Sequence, residues 1–107
     1  MVKIVIVVKP DCPACTIVKK VISEAVNKMN LDSIVAIKHT NTFVKDAYNV
    51  DIYPTTIFYR ECKTIEEKAV YGIYKEIARL EGSFPIDYLN KVIDKLKLEC
   101  DEKIYWS

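Results

Sequence analysis

The stretch Val2-Lys3-Ile4-Val5-Ile6-Val7-Val8-Lys9-Pro10-Asp11-Cys12-Pro13-Ala14-Cys15 changes character twice within 14 residues. Residues 2–8 are rich in Val and Ile and read as a strand buried on both faces, as in parallel sheets. Lys9-Pro10-Asp11 is a turn. A helix then begins near Cys12, with Pro13 at its first position, where the missing N–H costs nothing. Further on, Ile17, Val18, Val21, Ile22, Ala25, Val26 and Met29 recur at helical spacing, and Lys19, Lys20, Glu24 and Lys28 fall on the other side. The helix is expected to end near Asn30.

The same alternation continues. Ser33 to His39 holds a second apolar strand, Ile34-Val35-Ala36-Ile37, and Thr40 or Asn41 can cap a short helix reaching about Tyr48. Strand, helix and strand form a βαβ unit, for which a right-handed crossover is expected. After Pro54, Thr55-Thr56-Ile57-Phe58-Tyr59 has the β-branched and aromatic content of a third strand. Arg60 to Glu66 reads as a polar turn or loop, and residues 67 to 81 as one or two strand-like pieces around Gly72. Ser83 and Pro85 start a last helix with Ile86, Leu89, Val92, Ile93 and Leu96 on one face. Leu98 to Ser107 has no assignment. The order β-α-β-α-β-β-α predicts an α/β fold: a mixed sheet with helices on both faces.

Length and charge narrow the functional classes. The 107 residues fit one domain, 1–107, with a modest core. Lys and Arg number 16 against 15 Asp and Glu, so the basic footprint of a nucleic-acid binder is missing. The apolar run Ile4 to Val8 is far shorter than the roughly 20 residues of a membrane span, and no cleavage site follows it. The expectation is a cytoplasmic protein.

Of the four cysteines, Cys12, Cys15, Cys62 and Cys100, the first two form a Cys-x-x-Cys pair. Such a pair exchanges disulfides or holds a soft metal. Its place at a strand-to-helix junction favours exchange, because free N–H groups and the helix dipole stabilise a thiolate there. A thiol so placed can ionise at a pH between about 3.5 and 7.5. In this reading Cys12 attacks a disulfide of the partner and Cys15 resolves the mixed disulfide. Lys9 adds positive charge, Asp11 opposes it, and Pro13 restricts the backbone between the sulfurs. A second signal is Asp51-Ile52-Tyr53-Pro54-Thr55-Thr56, since a proline directly before a strand sits where no ladder N–H is needed.

Lys9-Pro10-Asp11-Cys12-Pro13-Ala14-Cys15 after a buried strand, followed by Tyr48-Asn49-Val50-Asp51-Ile52-Tyr53-Pro54-Thr55, resembles the thioredoxin superfamily over roughly residues 2 to 97. Gly82 looks like that family's late glycine. The resemblance implies a thioredoxin-like fold, a cis Pro54 beside Cys12, and Tyr53 backbone groups that pair with an extended substrate. It implies a protein-disulfide oxidoreductase that carries no cofactor, acts on disulfide-containing proteins, and takes electrons from a reductase or from glutathione. The Lys-Pro-x-Cys-Pro-x-Cys pattern is similar to glutaredoxins, in which that lysine helps hold the glutathione carboxylate. Tyr53 before the proline and Gly82-Ser83-Phe84-Pro85 depart from glutaredoxins, and Ile6 stands where thioredoxins carry a buried Asp. Both branches stay open.

Other residues have plainer readings. Cys62 and Cys100 read as ordinary, partly buried thiols, with a bond between the two as the alternative. His39, the only histidine, reads as a surface or packing residue, and the tyrosines other than Tyr53 as packing groups. A monomer is expected, without nucleic-acid or membrane partners. Two alternatives stand beside the enzyme: a copper- or zinc-binding carrier, and a thioredoxin-fold interaction module whose cysteine pair is incidental.

Overall fold

The computed structural model describes residues 2–28, 32–66 and 69–97. The elements are β1 (Val2–Val8), α1 (Pro13–Lys28), β2 (Ser33–His39), α2 (Thr42–Tyr48), β3 (Thr55–Glu66), β4 (Ala69–Glu81) and α3 (Ile86–Lys97). The strands form one sheet in the order β2-β1-β3-β4. β1 runs parallel to β2 and antiparallel to β3, and β3 is antiparallel to β4, which makes the sheet mixed. None of the helices among the described residues is long and apolar enough to cross a membrane.

β1 lies inside the sheet, and its Val/Ile run is buried on both faces. Ile4, Ile6 and Val8 face α1 and α3, where they pack with Val18, Ile22, Phe58, Leu89, Val92 and Leu96. Val5 and Val7 face the other way, onto Ile57, Val50 and the α2 residues Val44 and Tyr48. Helices therefore cover both faces, as the alternating order of elements predicts.

Helix boundaries follow local chemistry. Asn41 caps α2: its Oδ1 accepts the Val44 N–H at 2.8 Å. Asn49 closes the same helix in the left-handed region, with φ 54°. At the far end of α3, Arg60 donates through Nη1 to the Leu96 carbonyl at 2.6 Å, satisfying one of the helix's terminal acceptors. Two residues of the apolar stripes stay outside the core. Ile17 and Ile86 are 58% and 57% exposed. Ile17 lies about 100° around the helix from the buried Val18. Ile86 stands in the first turn of α3, on a groove between α1 and α3 lined also by Val21 and Ile93. Met29 lies outside the described residues.

The polar turn expected over Arg60 to Glu66 is instead the second half of β3. β1 pairs with β3 only from Thr55 to Arg60, whereas β4 pairs with β3 along its whole length, to Glu66↔Ala69. Among the described residues, the distal part of the hairpin is thus a two-stranded ribbon. Such a ribbon imposes little hydrophobic alternation, so polar residues there do not mark a loop. Cys62 also departs from expectation, being disulfide-bonded and buried in β3 rather than an ordinary thiol. Cys100 lies outside the described residues.

β4 contains a register shift opposite Phe58 and Tyr59 that leaves Ile77 without a partner on β3. Residues three apart in a regular strand point to opposite faces. The extra residue puts Glu76 and Arg79 on one face, where the guanidinium contacts the carboxylate at 2.9 and 3.2 Å. Arg79 also donates to the Asn49 carbonyl at 2.9 Å, tying β4 to the end of α2. Burial, followed by the Glu76 carboxylate and then Tyr48, raises the Tyr59 phenol above its ordinary value of 10.0, against a smaller opposing effect of Arg79. A raised folded-state value contributes stability that is complete below the unfolded value and is lost as pH rises through the folded one. The wild-type protein is therefore expected to lose more stability than Tyr59→Phe as pH climbs past about 10. Urea midpoints of both proteins at pH 8, 10 and 11 check this, and parallel pH profiles would contradict it.

Candidate functional site

The site lies at the carboxyl ends of the parallel strands β1 and β2, where open α/β sheets place their ligands. Val8 ends β1 and is followed by Lys9, Pro10 and Asp11. Asp11 takes a left-handed conformation, with φ 53°, a region that Asp tolerates better than most residues. The chain then enters α1 through Cys12-Pro13-Ala14-Cys15, with Pro13 at the first helical position as expected.

Cys12 is the N-cap of α1. Its carbonyl accepts the Thr16 N–H at 3.3 Å, and its Sγ accepts the Cys15 N–H at 3.1 Å. The sulfur thus stands where a Ser or Asp oxygen caps other helices. Cys12 and Cys15 are joined by a disulfide with their Cα atoms 5.2 Å apart, inside the usual range for such a bond. The two sulfurs are not equivalent in access. Cys12 is half-buried at the helix start, while Cys15, 3% exposed, packs into the cluster of Ile4, Ile6 and Val8.

The second segment comes up beside the first. The Tyr53–Pro54 peptide bond is cis, as the resemblance implies. Pro54 is buried, and its carbonyl accepts the Gly82 N–H at 2.6 Å. Gly82 has φ 73°, a conformation that suits glycine. The Tyr53 hydroxyl shares a 2.5 Å hydrogen bond with Thr40 Oγ1, and Thr40 N–H donates to the Val8 carbonyl at 2.8 Å. The Lys9 ammonium stands 5.9 Å from the Tyr53 ring centroid. The ends of β1 and β2 and the proline turn are therefore linked through side chains. Among the described residues, no hydrogen bond takes up the Tyr53 backbone N–H or carbonyl.

Cys12, Cys15, Lys9 and Pro13 come together around a cavity of about 780 Å³ beside the disulfide, and Tyr53 adjoins it through Lys9. His39 and Lys19, not expected at the site, line the same cavity. Both carried a signal. Lys19 follows Cys15 by four residues on the helix, hence on the same face. His39 ends a strand parallel to β1 and pairs with Val8, which puts it at the level of the cysteine turn. Among the described residues, no three His, Cys, Asp or Glu side chains gather as a metal-holding group.

No family model and no curated protein matches the chain. Solved structures do. A thioredoxin of Trichomonas vaginalis aligns with a TM-score of 0.61 at 20% identity, over 90% of this chain and 79% of its own. A thioredoxin of Fasciola hepatica aligns at 0.63 and 18%, over 90% and 81%. Thioredoxin f2 of Chlamydomonas reinhardtii aligns at 0.64 and 13%, over 90% and 79%. With its mixed sheet covered on both faces and its cysteine pair at the start of the first helix, the chain has the thioredoxin fold.

Proposed function

We propose that the protein is a thiol–disulfide oxidoreductase that reduces or exchanges disulfides in other proteins through Cys12 and Cys15. The observation that carries this reading is the Cys12–Cys15 disulfide at the N-terminus of α1, with the more exposed Cys12 sulfur accepting the Cys15 N–H. In the reduced protein the same N–H and the helix dipole favour the Cys12 thiolate. That thiolate attacks one sulfur of a substrate disulfide. A bond forms between Cys12 and the substrate, and the electron pair of the broken bond leaves on the second substrate sulfur, which takes a proton from solvent. The Cys15 thiolate then attacks the Cys12 sulfur. Cys12–Cys15 forms, the first substrate sulfur leaves with its electron pair, and the substrate is reduced by two electrons as the protein is oxidised by two.

The substrate strand lies along the Tyr53-Pro54 turn, whose free Tyr53 backbone groups support a short β-pairing. Pro13 restricts the backbone between the sulfurs at the start of α1, and Lys9 favours the thiolate. Thioredoxin-like and glutaredoxin-like use differ in the electron donor, a reductase or glutathione. A protein disulfide reduced by dithiothreitol with and without catalytic amounts of the protein tests the reading. The expected result is reduction many times faster with the protein than with dithiothreitol alone. Equal rates would overturn it.

A further inference from the structure

The cavity beside the disulfide has a chemical character of its own. Lys9 enters it from the end of β1, Lys19 from α1, and His39 from the end of β2, while Asp11 is its one carboxylate. Two ammonium groups against one carboxylate leave the lining net positive. No ion pair joins Lys9, Lys19 or Asp11 to another described residue. The chain as a whole is close to neutral, with 16 basic against 15 acidic residues, so this is a local concentration. The groove between α1 and α3 has the opposite balance, with Glu24 and Asp94 against Lys28. A concave surface of one sign focuses the field and attracts groups of the other.

We infer that this cavity is a subsite for an acidic side chain of the substrate, so that the preferred substrates are protein disulfides with Asp or Glu one or two residues from a cysteine. The inference rests on the oxidoreductase reading and adds the substrate class to it. Lys9 links the two parts of the site, since it lines the cavity and its ammonium stands 5.9 Å from the Tyr53 ring. A substrate strand paired at Tyr53 and joined to Cys12 brings its neighbouring side chain to the cavity mouth. There the carboxylate meets the Lys9 and Lys19 ammonium groups and the His39 ring.

Three disulfide peptides of one sequence, with Glu, Gln or Lys flanking the cysteine, test this. Each rate of reduction by the protein with dithiothreitol is divided by the rate with dithiothreitol alone. At low ionic strength the Glu peptide is expected to be favoured over the Lys peptide by roughly fivefold, as two partly solvated ion pairs give, with the Gln peptide between. In 0.5 M salt the difference should shrink. Lys19→Glu, with its fold verified by circular dichroism, should narrow or reverse the order. Equal rates for the three peptides, or a preference indifferent to both salt and Lys19→Glu, would overturn the subsite and leave the oxidoreductase reading standing. If the protein accelerates the reduction of none of them, that reading fails and the subsite falls with it.

Discussion

Cys12→Ser is expected to abolish disulfide reduction, with a loss of at least about a thousandfold, because a serine hydroxyl supplies no thiolate near neutral pH. Cys15→Ser has a different expected outcome. Cys12 remains at the N-cap and still attacks, but no second sulfur displaces the substrate, so the mixed disulfide accumulates. The asymmetry follows from position, since Cys12 is half-buried at the helix start and Cys15 packs against Ile6 and Val8. Intact-mass analysis after exposure to a disulfide peptide separates the two variants. Cys15→Ser should gain the mass of one peptide half, and Cys12→Ser should not. Full turnover by Cys12→Ser would contradict the assignment of the nucleophile, and a stable adduct on Cys12→Ser would reverse the two roles.

The largest expected effect on stability is at Phe58. It is fully buried in β3, opposite Ile4 on β1 and Ala78 on β4, in the cluster that joins the sheet to α1 and α3. Phe58→Ala removes most of a benzyl group from a position that neighbouring strands cannot collapse into, and such changes cost about 3–5 kcal/mol. Domains of this size have about 5–15 kcal/mol in all. The variant is expected to unfold at a much lower urea concentration with its denaturant slope unchanged. Phe43 is the matched control. It is 80% exposed on α2, and Phe43→Ala should shift stability by no more than about 0.5 kcal/mol. Similar losses at the two positions would contradict the placement of the core.

What was legible in the sequence was what local chemistry determines. β1 could be read because a strand buried on both faces needs an unbroken apolar run. The start of α1 could be read because a proline at the first helical position and a pair of cysteines mark one place. β2 has the expected bounds, and Asn41 was one of two candidate caps for α2. The distal half of β3 was not legible, because Glu61 to Glu66 pair with β4 alone among the described strands and need no apolar alternation. The β4 bulge was hidden for a related reason. Glu76 and Arg79 share a face only because Ile77 drops out of register, and no local sequence signal announces that. Within the site, the cysteines and the proline turn could be found from short motifs. His39 and Lys19 carried weaker signals, the end of a strand parallel to β1 and a place four residues after Cys15, and they meet only after β1 and β2 pair and α1 packs over them. The exposure of Ile17 and Ile86 shows the limit of reading helix faces, because a stripe of apolar residues is wider than the contact it makes.

The central claim is that Cys12 and Cys15 form a reversible redox couple. Equilibrating the protein in glutathione buffers of graded potential, alkylating the free thiols and reading intact mass measures this directly. The prediction is one two-electron transition assigned to Cys12 and Cys15, with a midpoint between about −280 and −180 mV. A Cys12–Cys15 pair that stays reduced, or stays oxidised, across the whole range would contradict it.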